Sequence, residues 1–370
     1  MGVDDQEDLR VFIEGRVISL PFSFVRGGHP GGEKILRAFE GRDATEEFAV
    51  IHPPYVARTL LKKYAVDNEK APNFSGSKEE EALEESFRQL RMKLQSSGEL
   101  VPHSPGAFMW GKLTATAAPG IVALLCCNQY LWVFASFMLG LFFACVGTFS
   151  HDVGHFHRQQ IGPFMRAIPG IFLGASLSWW NSLHWSHHMN PNDEVNDPDA
   201  CMSFCCWTMN QIRAQLQGEP RGWSMKRWYF ARQHYFFYAM LLLLRPAYTF
   251  NSIRAGTAKE RAFLALHIFL FYILPLRFAP AWFVLISHAL GGFLSGLIVT
   301  GNHYQEMVRH SSQDNSTAVT DGKRRTSSMK YYKRQLTNTA GFRNVESRLL
   351  RFFLRFYYGK YFCIVAPCLT

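Results

Sequence analysis

The chain has 370 residues, enough for two domains, and a net charge of +10. Charged and mixed residues fill roughly the first hundred positions, long apolar stretches follow, and a basic stretch that includes Lys330, Lys333 and Arg334 comes last. A basic patch on a soluble fold would indicate nucleic acid. Beside apolar segments, basic residues instead mark the cytoplasmic face of a membrane and its anionic lipid. We therefore expect membrane lipid, and no nucleic acid, as a partner.

The N-terminus has no basic start followed by an apolar run, which predicts that this end stays in the cytosol. The eight cysteines include no Cys-x-x-Cys pair, a pattern typical of a reducing compartment.

Residues 28–32 read Gly-His-Pro-Gly-Gly, and His52 follows His29 by 23 positions with an Asp-Ala-Thr segment between them. Two imidazoles from separate loops can ligate the two faces of a haem iron, and glycines beside His29 let the backbone approach the porphyrin. The segment 9–66 resembles the cytochrome b5 family. The resemblance implies a small α+β domain over residues 8–67, in which His29 and His52 bind haem b.

Residues 68–104 read as a linker followed by a helix. Positions 68–77 are rich in Pro, Asn, Gly and Ser. From Lys78 to Leu94, acidic residues alternate with apolar ones at helical spacing, which predicts an amphipathic helix near the membrane surface.

Four apolar segments have the ~20 residues needed to cross ~30 Å of hydrocarbon. They lie at about 107–127, 130–149, 261–278 and 281–300. Two further apolar stretches, at 161–180 and 235–250, contain Arg166 and Arg245, so we expect them to lie on the surface or re-enter from one side. The sequence thus predicts an all-α integral membrane domain of about four transmembrane helices in two hairpins, with every end in the cytosol.

Histidines recur at helical spacing after the second apolar segment. His151 and His155 are four apart, and His184 is followed by His187 and His188. Residues three or four apart share one face of a helix. Such a set can hold two metal ions, and imidazole suits iron, although spacing does not identify the metal. A purely structural role for five such histidines is the alternative.

With Asn-Asp-Pro-Asp at 196–199, these boxes resemble the membrane fatty-acid desaturase superfamily, in particular front-end desaturases with an N-terminal cytochrome b5 domain. The resemblance covers residues 105–362. It implies two non-haem irons held by the five box histidines, with His303, at the end of the last apolar segment, as a further ligand. His234 also matches a family position, without a clear role. His157, His267, His288 and His310 are expected to be structural or on the surface.

The resemblance further implies an oxidoreductase that desaturates a long-chain acyl lipid or acyl-CoA with O2. Electrons would come from an NAD(P)H–cytochrome b5 reductase through the haem. The protein would lie in the endoplasmic reticulum membrane, with the haem domain and a cap of histidine boxes facing the cytosol. No catalytic residue beyond the metal ligands is expected.

The family's third box, Gln-x-x-His-His, is absent from the sequence. Where it is expected, residues 363–367 read Cys-Ile-Val-Ala-Pro, and 363–370 form a tail unlike the family. An incomplete ligand set predicts weak binding of the second iron. Three functions stay open: a front-end acyl desaturase, a sphingolipid long-chain-base desaturase, and a catalytically inactive membrane haem electron-transfer protein.

Overall fold

The structure is a computed structural model that describes residues 8–29, 31–52, 54–74, 76–97, 107–126, 128–155, 162–193, 196–200, 205–220, 222–301 and 330–338. A small N-terminal unit with a sheet precedes a helical region. The predicted order of a small α+β domain and a mostly helical domain is confirmed.

The N-terminal sheet is built from a hairpin and one later strand. Strands β1 (Leu9–Ile13) and β2 (Arg16–Leu20) pair antiparallel, and β3 (Ala65–Lys70) pairs with β2. Glu14 and Gly15 both adopt positive φ, at 53° and 71°, which matches the tight turn between right-twisted strands. In β1, Leu9, Val11 and Ile13 alternate inward and form one side of the small core.

Three helices complete this unit: α1 (Glu33–Ala38), α2 (Thr45–Ile51) and α3 (Pro54–Tyr64). Val25, Ile35 and Leu61 come from different segments and meet β1 and β2 in one apolar core. The helix ends therefore place the two short loops that contain His29 and His52 on the same side of the unit.

Helix α4 (Lys78–Ser96) begins at the predicted residue. Ser77 Oγ accepts from the Glu80 backbone N–H, and the Glu80 carboxylate accepts from the Ser77 N–H, forming a capping box. The helix packs through Phe87 against the N-terminal core. Its apolar side thus faces protein in this structure.

The helical region contains nine further helices before residue 302 in the part of the chain that the structure describes. They are α5 (Ala107–Leu125), α6 (Gln129–His155), α7 (Pro163–Ile168), α8 (Leu177–Met189), α9 (Met209–Gln215), α10 (Met225–Leu241), α11 (Leu244–Ala255), α12 (Ala258–Ile268) and α13 (Ala281–Gly301). A last helix, α14, spans Tyr331–Asn338. Helix α6 lies at the centre, because α5 and α13 both pack along it. Gly140 permits this contact: a Cβ there would lie 2.8 Å from Leu290 Cδ2.

The prediction of four membrane spans is not confirmed. Among the described helices, α6 alone is long and apolar enough to cross a membrane. Shorter apolar stretches are Leu113–Leu125, Pro163–Leu173 and Ala281–Leu297. The third predicted span is not one regular helix, because a π-helical turn at Phe269–Ile273 and a 3-10 turn at Leu274–Arg277 follow α12.

Arg245, which interrupts an apolar stretch in the sequence, lies in the packed interior. Its guanidinium carbon lies 3.6 Å from the centre of the Phe143 ring, and its Nε donates to His288 Nδ1 at 3.3 Å. His288 Nε2 lies 3.2 Å from the Phe271 carbonyl, and His267 Nδ1 lies 2.9 Å from the Ile171 carbonyl. These contacts join helices, in keeping with a structural role for His267 and His288.

Candidate metal centre and haem site

Four histidines converge where the end of α6 meets α8. His151 and His155 occupy the last turns of α6, and His184 and His188 project from α8. One ligand atom from each of the four lies within 4.8 Å of the others. The Nε2 atoms are 3.4 Å apart for His151 and His155, 3.1 Å for His155 and His184, and 2.7 Å for His184 and His188.

This donor set fits a first-row transition metal. Imidazole nitrogens converge with no carboxylate among the four, and His155 Nδ1 is buried without a hydrogen-bond partner. Burial lowers the pKa of His184 and of His188 well below the ordinary value, and the neighbouring histidines lower both further. Both rings are therefore neutral, which is the form that binds metal.

The structure separates His187 from these four histidines. Its Nδ1 lies 2.9 Å from Asp197 Oδ2 and 3.9 Å from Asp199 Oδ2. Burial lowers the pKa of His187, but the Asp197 carboxylate, with a smaller contribution from Asp199, raises it to about 9 overall. His187, Asp197 and Asp199 form a second group close enough together to hold a metal ion, which would displace the proton that His187 otherwise keeps at neutral pH.

Asp197 is fixed by the loop that follows α8. It is fully buried, its Oδ2 accepts from the Asn192 backbone N–H at 2.7 Å, and its Oδ1 accepts from the Asp199 N–H at 2.8 Å. A carboxylate that accepts from one ring nitrogen sets the tautomer and leaves the other nitrogen to a metal. The Asn-Asp-Pro-Asp run is visible in the sequence, but no sequence signal assigns a role to Asp197, because its approach to His187 depends on the backbone contacts at Asn192 and Asp199.

The two predicted haem ligands face each other. His29 follows a π-helical turn at Phe24–Gly28, and His52 directly follows α2. Their ring centres are 6.1 Å apart. An imidazole nitrogen lies ~2 Å from a first-row metal that it binds, so an iron fits between the rings. His52 Nδ1 lies 3.1 Å from the Phe48 carbonyl, which orients its Nε2 toward the gap.

The environment of His29 also fits a haem ligand. Burial, together with the nearby His52, lowers the pKa of His29 to about 4, so its ring is neutral. A backbone hydrogen bond at Gly32 opposes this lowering of the pKa only in part. A Cβ at Gly31 would lie 2.9 Å from His29 Cε1, so glycine allows the backbone to pass close to the ring. We conclude that the residues present fit a haem held between two loops.

Among the remaining histidines singled out in the sequence, those that the structure describes are not brought to these sites. His303, His157 and His310 lie outside the described residues, as do 363–370. His234 is exposed on α10 and contacts Tyr235, whereas its neighbour Gln233 binds the Cys206 backbone N–H and carbonyl. Cys205 and Cys206 are buried.

The fold and the site define a class of protein: a haem-binding module fused to a helical domain with a multi-histidine centre. Residues 3–68 match the cytochrome b5-like haem/steroid-binding domain, and residues 129–361 match the fatty acid desaturase family. The chain therefore belongs to the fatty acid desaturase family, in a form fused to a cytochrome b5-like domain. The predicted resemblance is confirmed.

Curated relatives with matching sequences are named as Delta(5), Delta(6) and Delta(8) fatty-acid desaturases. A Delta(8)-fatty-acid desaturase of Euglena gracilis is 26% identical over 75% of this chain and 69% of its own length. The Delta(5) enzyme fat-4 and the Delta(6) enzyme fat-3 of Caenorhabditis elegans are 25% and 26% identical, over 81% and 80% of this chain and 75% of each relative. The match to the mouse FADS2-like protein FADS2B covers 47% of that protein. No solved structure matches the chain.

Proposed function

We propose that this chain is a front-end desaturase that introduces a double bond into a long-chain acyl lipid or acyl-CoA with O2. The observation that carries the proposal is the convergence of four imidazoles at the junction of α6 and α8. The three Delta(5), Delta(6) and Delta(8) relatives act on fatty acids by name, which supports the substrate class.

The proposed roles follow from position. His151, His155, His184 and His188 hold non-haem iron, and His187, oriented by Asp197, contributes to a second iron site together with His303. His29 and His52 hold haem b, and an NAD(P)H–cytochrome b5 reductase is the proposed donor. Bound iron would supply oxygen activation and bound haem would supply single electrons. The protein's own residues hold these groups, exclude water and position the acyl chain.

The length of α6 supports a membrane location. Its 27 residues extend ~40 Å at 1.5 Å per residue, longer than ~30 Å of hydrocarbon. The last turns, with His151 and His155, would therefore stand above the apolar layer. We propose two hairpins whose ends lie on the cytosolic side of the endoplasmic reticulum membrane, with the haem domain on the same side.

A small cavity lies beside His151, with room for about one water-sized group. Gly147, Leu173, Leu177 and Trp180 line it, and so do the hydroxyl-bearing Ser150 and Ser176. A long acyl chain does not fit there in this structure.

The Cys-Ile-Val-Ala-Pro run at 363–367, in the place where the third box is expected, favours a second candidate: an inactive membrane haem protein in which only the cytochrome module functions. A sphingolipid long-chain-base desaturase is the third, because it shares the fusion and the boxes. The test is to express the full chain in cells that lack such desaturases and to profile fatty acids and long-chain bases after feeding unsaturated precursors. New double bonds in acyl chains support the proposal, and new double bonds in long-chain bases redirect it.

The same cells provide the matched controls. His184→Ala should abolish the new product, whereas His234→Ala, an exposed histidine outside the cluster, should leave it unchanged. A parent chain that shows a b5-like haem spectrum, contains no non-haem iron and forms no product would refute the desaturase proposal in favour of the inactive haem protein.

A further inference from the structure

Two acidic residues of α2, next to the haem ligand His52, are buried rather than solvated. Glu46 and Glu47 are each 5% exposed. Buried carboxylates require a partner, because an unpaired charge in the interior is strongly disfavoured. Here the partners are basic side chains from outside the haem domain. Arg88 of α4 donates to Glu46 Oε1, and Arg334 of α14 donates to Glu47 Oε1 at 2.6 Å.

Arg334 joins the haem domain to the helix of the second histidine box. Its side chain is 1% exposed, and the same Nη2 that contacts Glu47 also lies 3.1 Å from the Met189 carbonyl. The adjacent Gln335 donates through Nε2 to the His188 carbonyl at 2.8 Å. Helix α14 therefore contacts α2, which ends at a haem ligand, and the last residues of α8, which contains three box histidines.

Helix α14 is itself held by α4. The Tyr332 ring stacks on Phe87 with centres 4.7 Å apart and planes inclined by 11°. Lys333 Nζ lies 2.9 Å from Glu80 Oε1. These contacts fix the short helix on a scaffold that also contacts the haem domain, so that α14 has little freedom to move independently.

The haem domain and α8 also touch directly. Met189, Tyr331 and Tyr332 are buried in the same apolar cluster as the haem-domain core, and Trp185 packs against it. At Gly32, in the loop after His29, an added Cβ would lie 2.9 Å from Ser182 Cβ of α8. The close approach of this loop to the box helix leaves no room for a larger residue on either side.

We infer that α14 is a clamp that holds the haem domain in one fixed position on the histidine-box helix, with the Glu47–Arg334 pair as its centre. A flexible tether alone would give the haem domain only a high effective concentration. The clamp adds a defined orientation, in which the loop after His29 lies against α8. Glu47 and Arg334 are thus positioning residues. Docking itself is independent of the proposed function. Only its purpose, the supply of electrons from the haem to the iron site, rests on that proposal.

The experiment is hydrogen exchange of the full, haem-loaded chain in lipid nanodiscs. It compares the parent with Arg334→Gln, Glu47→Gln and the charge-swapped double variant Glu47→Arg/Arg334→Glu. The matched control is Glu69→Gln, which removes an exposed ion pair with Arg10 elsewhere on the haem domain. Because removal of one partner leaves the other charge buried, each single variant should speed amide exchange in α2 and in the C-terminal half of α8 by about tenfold or more. The double variant should reverse part of this increase.

A second variant separates loss of docking from loss of folding. Ser182→Phe places a ring where Gly32 approaches α8 and touches no ion pair; it should raise exchange in α2 as Arg334→Gln does. An unchanged Soret spectrum shows in each case that the haem domain stays folded. Two results would overturn the clamp. One is amide exchange in α2 that is unchanged in both Arg334→Gln and Ser182→Phe. The other is exchange in α2 that is raised equally in the control Glu69→Gln.

Turnover distinguishes the clamp from the proposed function. If the parent forms product, Arg334→Gln should lower kcat and leave KM for the acyl substrate unchanged, because the Arg334 contacts to Glu47 and to the Met189 carbonyl involve no imidazole of the cluster. The charge-swapped variant should regain part of the kcat. If the parent forms no product, the proposed function fails, while the exchange experiment still decides whether α14 docks the haem domain.

Discussion

Asp197→Asn offers a sharp test of the proposed second iron site. The substitution keeps the shape of the side chain but replaces one carboxylate oxygen with an NH2 group. Asp197 accepts three hydrogen bonds, from His187 Nδ1 and from the backbone N–H groups of Asn192 and Asp199. In the variant at least one of these donors faces another donor in a fully buried position, at a cost of about 1–3 kcal/mol in the free energy of unfolding.

The effect on iron should exceed the effect on folding. Without the carboxylate, His187 loses the group that orients its ring and increases its basicity, and loss of such a partner lowers metal affinity about 10–100-fold. The assay is non-haem iron per haem after dialysis against a graded chelator series. Asp199→Asn is the matched comparison, because its carboxylate lies 3.9 Å from His187 Nδ1 and should matter less. Equal retention of iron by Asp197→Asn and the parent would falsify the role assigned to Asp197.

Three further changes test other parts of the structure. His188→Ala should remove non-haem iron and retain the haem spectrum, and His52→Ala should remove haem and retain non-haem iron. Metal analysis and visible spectra of the two variants check this expectation. Loss of both groups in either variant would indicate misfolding instead. Gly140→Val should lower the thermal stability of the detergent-solubilised protein by the equivalent of about 1–3 kcal/mol, because a side chain there meets Leu290. Gly111→Ala, in open space on α5, is its control, and equal melting temperatures of the Gly140→Val variant and the parent would contradict the packing of α6 against α13.

The sequence pattern predicted those elements that are determined by residues close together in the chain. The acidic, amphipathic stretch from Lys78 begins a helix there because Ser77 and Glu80 form the capping box, and both lie in the same turn. The third apolar segment was predicted as one span and is instead broken after α12. Composition gives no sign of the π-helical turn at Phe269–Ile273, because its residues are all apolar and suit a regular helix equally well.

The candidate site was predictable to the extent that helical spacing determines it. The four-residue intervals put His151 beside His155 and His184 beside His188, and the structure brings the two pairs together. The same reasoning treated His187 as equivalent to its neighbours. It could not show that the loop after α8 returns Asp197 to His187, because that depends on backbone contacts at Asn192 and Asp199.

The basic C-terminal stretch shows why charge composition alone does not identify a partner. From sequence, Lys330, Lys333 and Arg334 were interpreted as contacts to anionic lipid. In the structure their amino and guanidinium groups lie against Glu84, Glu80 and Glu47. Opposite charges so far apart in the chain give no periodic signal, so only the fold could pair them.

Burial of the Glu47–Arg334 pair is better explained by orientation than by stability. Desolvation of two charges offsets much of their attraction, and an apolar pair of the same volume often stabilises a protein as well or better. A fused haem domain could be attached to α8 by apolar contacts alone, of the kind that Met189 and Trp185 already make. Apolar contacts tolerate sliding, whereas one guanidinium shared between Glu47 and the Met189 carbonyl permits a single register. The buried charges therefore select one position of the haem ligands relative to the histidine boxes.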